Sequence, residues 1–282
     1  MALNSSVLEN TIRKGALATF QQSFRRYSAI WPRYADRVRS TTAVERHVGV
    51  GATPSVQKFQ DEIREGTIND YGYDLANETW TAGVRIFDAT LKDQQNGMLD
   101  RALSRMGRKA AAAYDVRVAA VLEAGESTTA ANGQNFFSTN NKNLNTSAPL
   151  DKTHLNEAIA DMRKLTDDKG DLIQVIPRAI MVPAELEGTA KELLRAQVIN
   201  STSNVLAQDG LSLIVNPYLS DATDWYLLGD ENPLILQDRE QAKVVSIAPG
   251  SSGDTAVNWL FYSYARYQAA LNDWNMIVKN KA

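Results

Sequence analysis

The spacing of apolar residues changes along the chain and marks its elements. In residues 91–123, Leu99, Ala102, Leu103, Met106, Ala110, Ala113, Tyr114, Val121 and Leu122 recur at intervals of three and four. That period predicts one long helix, on the order of 50 Å. No proline interrupts it, and Gly97 and Gly107 are its weak points. Residues 40–88 read differently. Val44, Val48 and Val50 alternate with polar residues, and Trp80, Ala82, Val84 and Ile86 alternate with Thr81, Gly83, Arg85 and Phe87. A period of two predicts strands. The polar, acidic stretch between them holds Pro54, Gly66 and Gly72. The expectation is a long two-stranded projection with an irregular tip. Such a ribbon is marginal alone in water and has to lie on something.

The stretch 170–237 is punctuated more tightly. Short apolar runs at 172–176, 179–182, 211–215 and 225–228 end at Pro, Asn, Asp or Gly, and an amphipathic helix follows Pro183 over 184–196. This predicts a compact α/β unit. The run 124–150 is rich in Asn, Ser, Thr and Gly and reads as a loop between subdomains; 154–165 reads as a helix capped by Asp151 or Thr153. Residues 234–281 are strand-rich, with 243–248 and 259–264 flanking a hairpin-like turn, PGSSGDT. At the other end, Phe20, Phe24 and Tyr27 share one face of a helical arm that Pro32 ends. An arm of that size cannot bury its stripe alone, so the expectation is that it serves assembly rather than folding.

Composition narrows the class. The chain has 282 residues, 44% of them hydrophobic, and no cysteine. Disulfides, thiolate nucleophiles and cysteine metal sites are therefore excluded. No apolar run is long enough to cross a bilayer, and MALNSSVLEN lacks the basic start and apolar core of a signal peptide. The formal charge is -3, but residues 1–50 carry about +5 and the remainder about -8. A basic arm on an acidic body suggests an acidic partner for Arg13, Lys14, Arg25 and Arg26: another subunit, or nucleic acid. The plain alternative is a solvated basic helix. Arg101, Arg105 and Arg108 share a face of the long helix, which reads as an ordinary solvated face.

No catalytic, cofactor or metal constellation stands out. His47 and His154 fall on different elements, and neither has a partner at metal-ligand spacing. There is no G-x-S-x-G elbow and no dinucleotide fingerprint. Asp167, Asp168 and Asp171 crowd a turn around Gly170 without the ligand pattern of a calcium loop. Gly250 and Gly253 lack the Lys-Ser/Thr of a phosphate loop.

Several segments, in this order, resemble one family. They are RRYSAIWPRYADRVRST (25–41), ETWTAGVRIFDATLKDQQNG (78–97), RMGRKAAAAYDVRVAAVLEAG (105–125), FFSTNNKN (136–143), IPRAIMVPAELEGTAKELL (176–194) and IVNPYLSDATDWYLLGD (214–230). The chain resembles major capsid proteins of tailed phages with the Hong Kong 97-type shell fold, and more narrowly the major head subunits of Mu-like phages.

The resemblance implies an α+β architecture. Its parts are an N-terminal arm (1–39), an extended two-stranded loop (40–88), a peripheral domain with a spine helix (89–125), an axial domain (126–235), peripheral-domain strands (236–266) and a C-terminal return segment (267–282). It implies a structural protein without cofactor or enzymatic activity, a homo-oligomer of pentamers and hexamers forming an icosahedral head around double-stranded DNA. Scaffold, portal or decoration proteins are further partners, and no membrane is involved. The place of residence is the virion, after synthesis in the bacterial host cytoplasm. Candidate subunit or DNA contacts are Arg13, Lys14, Arg25, Arg26, Trp80 and Arg85. Some phages of this fold crosslink subunits through a lysine; Lys58 and Lys92 are the lysines available between 40 and 92, and no crosslink is predicted. An encapsulin-like compartment around protein cargo is the alternative within the fold. A soluble α/β enzyme is the alternative outside it.

Overall fold

A computed structural model describes residues 5–50, 70–89, 96–130, 132–166, 171–195, 198–199, 202–203, 210–250 and 258–282. Helix α1 (Ser5–Arg25) leads through a 3-10 turn (Trp31–Arg33) into β1 (Ala35–Arg39). Strands β2 (Val44–Val50) and β3 (Asp70–Ala76) pair antiparallel as a separate ribbon, with Val44 opposite Ala76 and Val50 opposite Asp70. Strand β4 (Glu78–Phe87) follows, and then the 28-residue helix α2 (Asn96–Glu123), about 42 Å long. After β5 (Leu144–Asn145) come α3 (Lys152–Arg163), β6 (Ala179–Val182), α4 (Glu187–Arg195) and a two-residue pair, β7 (Val198–Ile199) with β8 (Thr202–Ser203). The chain ends with β9 (Ser212–Val215), β10 (Trp225–Leu228), β11 (Leu234–Ile247), β12 (Asn258–Leu271) and β13 (Ile277–Asn280).

Two larger sheets organise these elements. One is four-stranded in the order β1-β11-β12-β4, the other five-stranded in the order β5-β13-β10-β6-β9. The runs of the second sheet are continuous in sequence because both of its faces are covered. In β10, Trp225 and Leu227 point into a cluster with Leu155, Ile159 and Met162 of α3, while Tyr226 and Leu228 point into another with Val118 and Leu122 of α2. Strand β6 alternates the same way, with Ile180 and Val182 on the first side and Ala179 and Met181 on the second. Strict period-two alternation survives, but both phases are apolar. Helix α3 begins as expected: Asp151 accepts from the His154 backbone N–H at 2.9 Å, an N-cap.

Three expectations change. Residues 172–176 are not a strand. Gln174 sits at φ 60, and Leu172 and Ile176 are mostly exposed, while Val175 is buried and Ile173 packs half-buried against the same cluster. Residues 78–87 are not the return of the ribbon. That role falls to β3, and β4 instead pairs with β12 from Glu78 opposite Tyr267 to Phe87 opposite Asn258. The alternation around Trp80 was real, but Asn77 separates two strands in different sheets. Third, the stripe of the arm finds its cover within the chain. Ala16 and Phe20 are buried with Leu99, Leu103, Met106, Trp259 and Phe261. Their helix ends at Arg25, and Pro32 lies in the 3-10 turn beyond it. The tip of the ribbon (51–69), the turn at 251–257, Lys58, Lys92, Asp167 and Asp168 lie outside the described residues.

Candidate assembly surfaces

Helix α2 joins the parts of the chain through its carboxylates. Asp115, fully buried, accepts from the backbone N–H of Ile30 (2.9 Å) and Trp31 (2.6 Å) and from the Tyr27 hydroxyl (2.8 Å). The Tyr27 hydroxyl is also hydrogen-bonded to that of Tyr218, 2.9 Å away in the segment between β9 and β10. Burial pushes the Asp115 carboxyl above the usual range, and the two N–H groups and the hydroxyl pull it back only in part. Glu123 accepts from the Ser220 hydroxyl at 3.0 Å. The arm and the five-stranded sheet are thus tied to the same helix. Gly107 allows the arm to lie close. A Cβ there would meet the Phe20 carbonyl oxygen at 2.6 Å and the Ser23 Cβ at 3.1 Å. What reads in sequence as a weak point of the helix is the crossing point of two helices.

The ribbon is set by a polar elbow at its base. Glu45 accepts from the backbone N–H of Thr41 (2.8 Å) and Thr42 (3.0 Å) and from the Ser40 hydroxyl (3.0 Å). Asn77, on the other side, donates to the Ser40 hydroxyl at 2.7 Å and to the Thr42 carbonyl at 2.9 Å. The N–H donors of Thr42 and Thr41 and the Ser40 hydroxyl hold the Glu45 carboxyl down at about 2. A second clamp sits above it. Gln237 of β11, fully buried, donates its amide to the Leu75 carbonyl at 3.1 Å. That fixes the amide orientation, so its oxygen faces His47 Nε2 at 2.7 Å and His47 donates. The His47 ring packs on Tyr73, with centroids 5.5 Å apart. One histidine of the chain therefore positions the ribbon. The other, His154, meets the Asp151 carboxylate at its own helix cap.

The candidate contact residues are not gathered in one place. Arg13 and Lys14 are exposed on α1, and Arg25 and Arg26 are exposed at and just past its end. Arg85 is exposed on β4, an edge of the four-stranded sheet. Trp80 is half-buried and engaged within the chain. Its ring stacks on Tyr267 at 5.7 Å, its indole N–H donates to the Tyr267 carbonyl at 3.2 Å, and Arg117 lies 5.5 Å above it. Sequence reasoning missed Asp115, Gln237 and the Glu45–Asn77 elbow. Asp115, Gln237 and Asn77 have partners far along the chain, which no local pattern signals, while Glu45 bonds to Ser40, Thr41 and Thr42 just before it. Among the described residues there is no cluster of metal-ligating side chains, and no helix is long and apolar enough to cross a membrane.

The arrangement of helix, sheets and ribbon is found in solved capsid subunits. The procapsid subunit of bacteriophage JBD30 superposes over 97% of this chain and 74% of its own length, with a TM-score of 0.59 at 19% identity. A virus-like particle from Pyrococcus furiosus matches over 95% of this chain and 99% of its own, with a TM-score of 0.57 at 9% identity. The fold is that of the Hong Kong 97-type shell proteins. Sequence narrows this further. The major head subunit of the Mu-like prophage FluMu of Haemophilus influenzae is 28% identical over 120 residues, which is 43% of this chain and 39% of that protein. The aligned stretch therefore spans well under half the length of that relative. The chain belongs to the phage capsid protein family, whose model matches residues 74–280.

Proposed function

We propose that this protein is the major capsid subunit of a tailed phage, assembling through pentamers and hexamers into an icosahedral head around double-stranded DNA. The observation that carries the reading is the family match over 74–280, joined to a fold that matches a procapsid subunit over nearly the whole chain. The surface is suited to the task. The ribbon β2–β3 leaves the body on a rigid polar base, and β4 offers a sheet edge. Repeated heterologous contacts of that kind close into rings, and many modest ones add up in a lattice. In this reading the protein is structural and has no enzymatic activity. It resides in the virion after synthesis in the bacterial host cytoplasm, and it works with scaffold, portal or decoration proteins that set curvature. The subunit parts follow the arm, loop, peripheral and axial divisions set out above, with the loop ending at β3 and β4 joining the peripheral strands, and Arg13, Lys14, Arg25 and Arg26 make weak contacts to the packaged DNA.

The test is electron microscopy and sedimentation of the purified full chain, with crowding agent and across a wide concentration range. Rings, tubes or shells are expected. A protein that stays monomeric throughout would overturn the reading. A protein-filled compartment is the second reading, since the same shell fold also builds a virus-like particle from Pyrococcus furiosus. Nucleic acid inside recovered particles supports the first, and a defined protein cargo without nucleic acid supports the second.

A further inference from the structure

Helix α2 uses its charges in two opposite ways. Its carboxylates are all committed inside the chain: Asp100 to the Thr19 hydroxyl at 3.3 Å, Asp115 to the arm and Glu123 to Ser220. Its inward-facing cation, Arg117, is committed too, to Gln268 at 2.7 Å and Glu78 at 3.5 Å. Arg101, Arg105, Arg108 and Lys109 remain exposed, and among the described residues none has a carboxylate partner. Arg101 gives only its Nε to the Gly97 carbonyl, at 2.8 Å, which leaves the outer guanidinium nitrogens open.

This is not an ordinary solvated helix face. Such faces intersperse both signs and gain from opposite charges three and four residues apart. Here Arg101 and Arg105, Arg105 and Lys109, and Arg105 and Arg108 stand at those spacings with like charge. Like charges at those spacings destabilise a free helix. A polyanion would reverse that sign. Arg25 and Arg26, at the end of the neighbouring arm, are exposed as well.

We propose that this ridge of α2 is a contact for the phosphate backbone of double-stranded DNA, without sequence preference. From Arg101 to Arg108 the helix rises about 10 Å, the axial length of about three phosphates along one strand. Three of the four groups are guanidinium forks, which pair with phosphate oxygens two at a time. An acidic protein segment is the competing partner, but its carboxylates carry no such fixed spacing. The inference deepens the head-subunit reading and rests on it for the source of the DNA. The contact itself is a property of the subunit.

The experiment measures binding of the full chain to a 30-base-pair duplex of mixed sequence between about 50 and 200 mM salt. The comparison is between wild type, the triple variant Arg101→Ala, Arg105→Ala, Arg108→Ala, and a matched triple elsewhere, Lys152→Ala, Arg163→Ala, Lys164→Ala. Alanine keeps the helix, and circular dichroism checks the fold. Removing three phosphate contacts should lower the slope of log affinity against log salt by about 3, while the matched triple lowers it by less than about 1. An equal loss in both triples, or none in the first, overturns the proposal. So does poly-glutamate competing as well as the duplex at equal charge, which would assign the ridge to an acidic protein. Electron microscopy of the same samples separates the two readings. A ridge-dependent slope without particles sinks the shell and keeps the ridge; particles with an unchanged slope do the reverse.

Discussion

The five-stranded sheet and the arm-and-ribbon half of the subunit are held by different means. In the first, β6, β10 and β13 bury nearly every side chain, and cohesion comes mainly from apolar contact on both faces, with the buried Lys279 of β13 paired to Asp224 and Glu126. Apolar contact is spread over many atoms and needs no single partner. In the second, few large side chains are buried and single polar residues set the geometry: Asp115 for the arm, Gln237 and Glu45 with Asn77 for the ribbon. The proposed head subunit would use both kinds. A body that resists deformation keeps identical copies identical, while parts that reach outward must leave at a defined angle. Their lengths make packing a poor way to set that angle, and directional hydrogen bonds at the base do it with few residues.

If that contrast is right, truncation should hurt most in the five-stranded sheet. Trp225 is fully buried, and its indole N–H donates to the Ala148 carbonyl at 2.9 Å. Trp225→Ala should cost about 3–5 kcal/mol in chemical denaturation. A loss under about 1 kcal/mol would mean that this core is looser than its burial implies. Next in size is Gly107→Ala. The added methyl meets the Phe20 backbone oxygen, which cannot rotate away, so the arm must shift outward. Overpacking of that kind costs about 1–3 kcal/mol. Because a buried cluster includes Phe20, deletion of 1–30 should also lower the stability of the subunit and not only its assembly. A truncated chain with unchanged denaturation midpoint would restore the picture of an arm reserved for neighbours.

The same contrast explains what the sequence let through. The strands at 179–182 and 225–228, the long helix and the Asp151 cap were legible because each announces itself within a few residues, by period or by a capping residue before an apolar run. The basic residues of the arm and of α2 were legible as charge, but not as paired or unpaired, since that depends on where Asp100, Asp115 and Glu123 are spent. Residues 172–176 looked like a strand by composition. A left-handed Gln174 and the following Pro177 leave the segment irregular, and neither residue type alone betrays it. Trp80 reads in sequence as a candidate contact; its stacking on Tyr267 and its N–H bond to the Tyr267 carbonyl carry no local signal. Gln237 looked like any polar residue on a strand. Its importance lies in reaching His47 and Leu75, about 190 and 162 positions away.

That residue gives a sharper test of the polar half. Gln237→Leu keeps the volume roughly and removes both bonds, leaving the Leu75 carbonyl and the His47 ring without that partner. The expected loss is about 1–3 kcal/mol, the usual cost of stranding a polar group away from water. Gln237→Glu should be worse than Leu if the amide donor to Leu75 matters, because a carboxylate there faces a carbonyl. Equal stability of all three proteins would show that the ribbon is not held at this point. Negative-stain microscopy of assembled material adds a second readout, since a ribbon freed at its base should broaden the distribution of particle diameters.

The smallest effect expected is at Glu45, and its sign is fixed by chemistry. In the folded chain the donors from Thr42, Thr41 and Ser40 favour the carboxylate and lower its protonation point from 4.5 to about 2. A group depressed on folding stabilises the native state above its unfolded value and stops doing so as pH falls through the folded one. The elbow should therefore be at full strength at pH 6, weaken below about 4.5 and be lost near 2. Glu45→Gln keeps an oxygen acceptor and removes the charge. The difference in melting temperature between wild type and Glu45→Gln should be small but positive at pH 6, and it should shrink steadily on acidification. The carboxylate is solvent-facing, so screening limits its size, and added salt should reduce it further. A difference that is independent of pH would show that the oxygen, and not its charge, holds the two arms of the ribbon together.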